Sequence, residues 1–480
     1  MRKILVAIFL LTFSIASAQN KNLLFGFKEI PQSLMVNPGE EVDYKWYTGI
    51  PLVSGVSVEA GITGGVSAFD VFAVDGVDFN VKFRNAIARL DRNDFTSINQ
   101  QLEIFNVGFK VGGKYYDDIR YSFGMYQEFD FFGYWPNDYA KLALEGNEPN
   151  INEAFSLSDL NLKADLLTVF HFGINKRVND KLTVGGRAKI YSSIVSASST
   201  NNEGTFVTRE SDTNFFEHSI NADLLIQTSG IASLRSDSDA NPPVEGADIA
   251  PTFRKRALLG GNLGLGVDAG FTYRFDKQLS FAASIQDIGF IRHSKDVESY
   301  QLKGNFTYDG FELLFPGAPT TNNQSTDYYR EVADALKEAL PVDTITKAYT
   351  RWRAPKFNAA LRYEWGIART DDDCDCRQVA KTTYLNQIGA QTFMIGRSRS
   401  PKMAASLFYY RRLFNGLRVK VAYTVDSFSL TNLGAGMSMH LGPVNAYLMA
   451  DNLLGYTNLA DAQKVSVQFG LNIVVPTNKN

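Results

Sequence analysis

Three sets of residues in this 480-residue chain have the types and spacing that chemistry requires. The first is the run Asp371-Asp372-Asp373-Cys374-Asp375-Cys376. Carboxylates gathered on one loop suit a hard cation such as Ca²⁺, which takes oxygen ligands. EF-hand spacing and its glycine are absent, so Asp371, Asp372, Asp373 and Asp375 form a weak cation candidate, and a solvated acidic loop is the commoner meaning. Cys374 and Cys376 would close a small, constrained ring if bridged; an oxidising compartment permits that bridge, and geometry leaves it open. The second set is Gly260, Gly261, Gly264, Gly266 and Gly270, whose density suggests a phosphate loop. No helix opens after them and they sit in an alternating strand, so the dinucleotide context fails. A bulge or a closely packed neighbour explains them better. The third set, His171, His218, His293 and His440, has neither metal-ligand spacing nor a nucleophile motif. No catalytic, cofactor-binding or dedicated metal residue is expected, and no cofactor is implied.

The elements that would carry such residues are extended. Hydrophobic residues make up 45% of the chain, with Phe 35 and Tyr 22, yet mean hydropathy is only -0.15. Those values suit alternating apolar and polar residues rather than a bundle of apolar helices. A net charge of -3 argues against nucleic acid as a partner. Arg2 and Lys3, the apolar stretch from Ile4 to Ile15 and Ala16-Ser17-Ala18 read as a secretory signal peptide over residues 1–18. No run of eighteen apolar residues follows, so no helical span is expected.

Period-two alternation recurs instead. From Leu259 to Phe275 the odd positions are mainly Leu, Val, Phe and Tyr, while the even ones include Asn262, Asp268, Thr272 and Arg274. Only a strand puts such alternate residues on opposite faces. The pattern returns over 357–367, 417–425 and 465–473. Weaker strands are predicted at 52–63, 101–112, 118–130, 165–177, 181–194, 214–228, 278–290, 299–309, 382–396, 401–412, 430–441 and 443–451. These are sixteen candidates, one or two of which would extend hairpins beyond a membrane. Asn179-Asp180, Asp276-Lys277, Asn415-Gly416 and Gly442-Pro443 mark tight turns, and 229–258 and 310–354 are long polar stretches. Short turns facing long loops, with strands near the ~9–11 residues that cross a bilayer, predict an all-β fold. It is a closed antiparallel transmembrane β-barrel of 14–16 strands over residues 51–476, in contact with outer-membrane lipid. Trp365, Tyr409 and Tyr410 are candidates for an interfacial aromatic girdle. Helices are predicted over Asp327–Leu340 and Phe79–Leu90; both are read as capping the barrel mouth in preference to forming a lid or a partner-docking surface.

Residues 19–50 are read as a separate N-terminal segment. Leu24, Phe25 and Phe27, with Leu23, Ile30, Leu34, Met35 and Val36, are too apolar for a solvated tail, and Asn37 and Pro38 end the stretch. A lumen offers such a segment packing surface and polar partners, so it is expected as a plug.

The sequence resembles a known family at Asn37-Pro38-Gly39, Tyr47-Thr48-Gly49-Ile50-Pro51 and Trp135-Pro136-Asn137-Asp138-Tyr139, which is followed by Leu142 and by Gly146-Asn147. It does so again at Gly264-Leu265-Gly266-Val267-Asp268-Ala269-Gly270 and Asp287-Ile288-Gly289-Phe290-Ile291. These segments look like the Bacteroidota outer-membrane proteins of unassigned function related to FadL-like and PorV-like barrels. The resemblance implies about fourteen strands, an N-terminal segment in the lumen and residence in the outer membrane of a Gram-negative bacterium; it brings no catalytic residues. Two functions follow as expectations. One is transport or binding of a small hydrophobic compound in the lumen. The other is a non-enzymatic accessory subunit of an outer-membrane complex for protein export or assembly.

Overall fold

The computed structural model describes residues 21–42, 44–111, 119–212, 215–234, 249–309, 328–367 and 384–476. The acidic run 371–375, both cysteines and the signal segment lie outside them.

The wall begins with a strand in two pieces, β1 (Tyr44–Gly49) and β2 (Val56–Ile62), both paired to β3 (Phe95–Val111). It continues antiparallel through β4 (Ile119–Tyr134), β6 (Leu162–Arg177), β7 (Leu182–Ser199), β10 (Asn262–Arg274) and β11 (Leu279–His293). The next strand is again in two pieces, β14 (Tyr349–Trp352) and β15 (Lys356–Ile367). Pro355, which has no N–H to give the ladder, separates them. Then come β16 (Tyr384–Ile395), β17 (Lys402–Phe414), β18 (Leu417–Val425), β19 (Asn432–Leu441), β20 (Val444–Asp451) and β21 (Lys464–Pro476). β21 pairs back to β1 and β2, which closes a 14-strand barrel. Closure leaves no strand edge without backbone partners, the condition for crossing lipid.

Two of the sixteen sequence candidates leave the wall. β9 (Phe216–Ser229) and β12 (Ser299–Tyr308) join β5 (Ala154–Ser156), β8 (Glu203–Glu210) and β13 (Val342–Ile345) in a sheet ordered β5-β8-β9-β12-β13. β9 joins the barrel wall through its last residues, which pair with Ser196–Ser198 of β7. One sequence boundary moves. Tyr44–Gly49 is barrel strand, not part of the N-terminal segment, because a bulge between Tyr44 and Trp46 breaks the alternation that would reveal it.

Four connections, at 178–181, 275–278, 415–416 and 442–443, are tight and lie at one end, where each predicted turn signal is found. The opposite end carries the connections that bear helices, α2 (Ala68–Phe72), α3 (Phe79–Arg89), α4 (Asn137–Glu145), α5 (Ile249–Lys255) and α6 (Tyr328–Ala339). A one-turn helix, α1 (Ser33–Val36), precedes β1. The tight turns mark the periplasmic end of an outer-membrane barrel and the long loops its outer face.

The parity of the strands divides lipid from lumen. On β10 Leu263, Leu265, Val267, Phe271 and Tyr273 are exposed, whereas Asn262, Asp268 and Thr272 are buried. β15 exposes Leu361 and Tyr363 and buries Asn358, Arg362 and Glu364. Trp365 and Tyr409 lie 6.0 Å apart near the tight-turn end. Tyr410 departs from the girdle expectation: it points inward, donating to Glu29 at 2.8 Å.

Replacing Leu265 with Arg is expected to destabilise the barrel by roughly 2–4 kcal/mol in urea titrations in lipid vesicles, with Leu265→Ala costing far less. Arginine at buried Asn262 or Thr272 is no neutral control, since it would meet packed side chains. Equal midpoints for the two Leu265 variants would reject the facing of β10.

Candidate functional site

Inward-facing strand positions carry charges that need partners in a filled interior. An ionic belt results. Arg187 pairs with Asp268 at 3.3 Å, and Lys189 with Asp268 at 2.8 Å and Asp287 at 2.7 Å. Lys356 reaches Asp287 at 3.0 Å and Glu128 at 3.4 Å, while Arg353 joins Glu128 at 3.0 Å and Asp165 at 3.8 Å. The belt crosses β4, β6, β7, β10, β11 and β15, so it braces half the wall. A register shift at Val267/Ala269 makes it possible. Opposite that shift Asp287 takes a left-handed backbone, φ 59°, and its N–H donates to Asp268 at 2.8 Å. Asp268 and Asp287 belong to the motifs that carried the family resemblance, yet sequence alone did not single them out. The available signal was charge on the inward parity of otherwise apolar strands.

Residues 21–42 pack against this inward face, and none of them is exposed. Leu24 and Phe25 are 1% exposed and Phe27 and Asn37 are 0%; Pro38 is buried too. Leu23, Leu24, Phe25, Phe27, Ile30 and Val36 form one cluster with wall residues Ala282, Ala360, Phe408, Ala422, Tyr447 and Met449. Outside α1 the segment is irregular, so its carbonyls need external donors. The wall supplies them. Lys420 donates to Leu23 O at 3.2 Å and Phe25 O at 2.7 Å, and Arg187 to Leu34 O and, at 3.2 Å, Met35 O. Ser284 donates to Val36 O at 2.7 Å, Asn175 to Pro38 O at 2.7 Å, and Arg120 to Val42 O at 2.7 Å. Glu40 meets Arg362 at 3.0 Å with both side chains 1% exposed or less, and Lys28 meets Glu364 at 2.5 Å. Gln32 and Ser54 both donate to Glu103, at 2.9 and 2.5 Å.

Glycine makes the closest approach possible. A Cβ on Gly185 would run into the Pro38 carbonyl, and one on Gly270 into the Asn37 side chain. Gly264 and Gly266, part of the suspected phosphate loop, instead leave room for Ile291 and Tyr191.

Towards the outer end, residues 396–401 fold over an aromatic cluster of Phe95, Phe132, Tyr134 and Phe428. Arg397 forks onto Asp130 at 2.8 and 3.0 Å and lies 4.5 Å above the Phe132 ring. Arg399 covers Tyr134 at 4.6 Å and reaches Asp159 at 3.4 Å; burial pushes the Asp159 carboxyl up, against the pull of Arg92 and Arg399. Between these layers one cavity of about 30 Å³ is lined by Lys21, Gln101, Tyr126, Glu128, Lys189 and Asp287, among others. A second, of about 10 Å³, lies by Leu23, Glu59 and Asp451. Each admits a water or two and nothing larger. Buried atoms without hydrogen-bond partners include both ring nitrogens of His171 and both amide atoms of Asn358. Among the described residues no group of three or more His, Cys, Asp or Glu side chains could hold a metal ion.

Glu40→Ala would leave Arg362 buried without its partner, a change that costs about 3–5 kcal/mol when a buried pair is broken. Amides of residues 21–42 are expected to exchange faster by mass-detected hydrogen exchange while the strands stay protected. Adding Arg362→Met should restore much of the protection. Unchanged exchange in the single variant would remove the pair from its anchoring role.

The chain finds no match among curated proteins. Solved structures similar to it include the toluene transporter TbuX of Ralstonia pickettii, 9% identical, covering 96% of this chain and 100% of that one with a TM-score of 0.40. The toluene transporter TodX of Pseudomonas putida is 9% identical over 96% of this chain and 94% of that one, TM-score 0.36. A FadL homologue of Pseudomonas aeruginosa is 10% identical over 97% and 100%, TM-score 0.40. The sequence itself matches the Family of unknown function (DUF5723) over residues 38–451, most of its length. The chain belongs to that family.

Proposed function

We propose that this outer-membrane barrel is a gated transporter for a small hydrophobic compound, with residues 21–42 as its plug. The observation that carries the reading is the apolar patch of the inner wall, formed by Ala282, Ala360, Phe408, Ala422, Tyr447 and Met449. A water-filled pore has a polar interior and no use for such a surface. Here the patch is covered by Leu23, Leu24, Phe25 and Phe27, so withdrawal of the segment would uncover an apolar site flanked by polar groups. The attachment suits a removable part, since much of it consists of side-chain hydrogen bonds to segment carbonyls, which water or solute can replace. With the segment in place and the cavities named above only water-sized, this conformation is the shut one. The reading is of a binding and passage function, not of an enzyme.

Intact protein in a planar bilayer is expected to show little steady conductance, and the variant lacking 21–42 a clear increase. Cells of a Gram-negative host bearing that variant should become sensitive to bulky hydrophobic antibiotics. Large conductance from the intact protein, unchanged by the deletion, would overturn the plug. A purified protein with a stable set of partner proteins and no bound lipid or other apolar compound would instead favour an accessory subunit.

A further inference from the structure

The loop joining β2 to β3 bears α2 and α3, and it turns large apolar side chains outward as well as inward. A helix packed on a protein rim in water turns apolar side chains inward and charges outward. On α3, Lys82 is instead buried at 7% exposure, paired with Asp75 and donating to Ala73 O. Phe79, Val81 and Phe83 of the same helix are exposed, as are Phe69 and Phe72 of α2 and Val74 and Val77 between the helices. Ala86 and Leu90 do face inward, packing beside Val66, Val71 and Trp135, and Ile87 is buried too, so the loop is well seated on the barrel. The phenylalanines gather rather than scatter: Phe79 lies 6.1 Å from Phe72 and 5.7 Å from Phe83. Seven large apolar residues within fifteen positions exceed what an aqueous surface normally carries in one place.

The neighbours of this patch identify what covers it. Phe69 N–H donates to Ala460 O, which ties α2 to the loop between β20 and β21, where Leu454 and Leu459 are also exposed. Below them Val58 of β2 and Leu448 of β20 belong to the outward apolar parity of the wall. The patch thus extends the lipid-facing belt upward across the rim at β20, β21 and β2. Charge agrees with this placement. Arg84 stands exposed on α3, where lipid phosphates would lie, while Arg89 pairs with Asp70 of α2 at 2.8 Å and holds the two helices together.

We infer that α2 and α3 form an interfacial anchor, seating Phe69, Phe72, Phe79 and Phe83 in the outer leaflet with Arg84 at the phosphate level. The occupant is lipid, not a second protein. The anchor also steadies the outer mouth, because Arg399 of the covering loop donates to Arg92 O just beyond α3.

The test places a nitroxide at Val74→Cys and, separately, at Val77→Cys, both in a Cys374→Ser/Cys376→Ser background. Val74 is fully exposed at 104% and touches no strand, so folding should survive; heat-modifiable gel mobility checks it. Protein in phosphatidylcholine nanodiscs containing lipid A is compared with Leu265→Cys, on the lipid face, and Asp180→Cys, in a periplasmic turn. Oxygen should relax both loop labels several-fold more than a water-soluble nickel chelate does, as at Leu265. Nickel-dominated relaxation resembling Asp180 would overturn the anchor while leaving the barrel intact. Exclusion of both reagents would overturn it too, in favour of a protein contact, with cross-linking between copies telling a dimer from another partner.

Discussion

Backbone satisfaction in lipid is the constraint on which everything else here depends. Each strand must pair on both sides, so the sheet closes, and a closed sheet of fourteen strands encloses a volume that must be filled or wetted. In this protein it is filled. Charges on the inner parity cannot rely on bulk water, and they find one another across the belt from Glu128 to Asp268 or find the carbonyls of residues 21–42. Buried ion pairs are weak stabilisers, since desolvation offsets much of their attraction. What they supply is register: Lys189 satisfies both Asp268 and Asp287 only with β7, β10 and β11 in this alignment.

The two faces of the segment 21–42 are held by unlike forces. Its apolar side chains meet the patch around Ala282 and Phe408, a contact that grows with buried area and has no direction. Its carbonyls meet Lys420, Arg187, Ser284 and Asn175, contacts that are directional and easily exchanged. The first sets how firmly the segment sits, and the second where.

Most of the wall was legible in the sequence because two-residue periodicity survives wherever one face meets lipid. β10, β15, β18 and β21 are the clearest cases. The split first strand was half hidden, since a bulge and the Ile50–Gly55 excursion destroy the alternation between Tyr44 and Ile62. β9 and β12 alternate as wall strands do, and periodicity cannot report that their sheet stands outside the membrane. The interior was the least legible. Asp268 and Asp287 share a hairpin, but Lys356 comes from β15 and Glu128 from β4, and only the closed wall brings Glu128 to the others. The segment beginning Leu23-Leu24-Phe25 was readable as something needing cover, from composition alone.

The two-piece first strand also ties the segment to the closure of the sheet. β1 and β2 form one side of the seam where the sheet meets itself, and β21 forms the other. Residues 21–42 precede β1 and are bonded to β21 on the far side of that seam, through Gln32 to Asn472, and to β3 behind β1 and β2, through Gln32 to Glu103. The residues that close the sheet are therefore also residues that hold the segment. Like a coat and what it is buttoned over, neither can shift at that seam without disturbing the other.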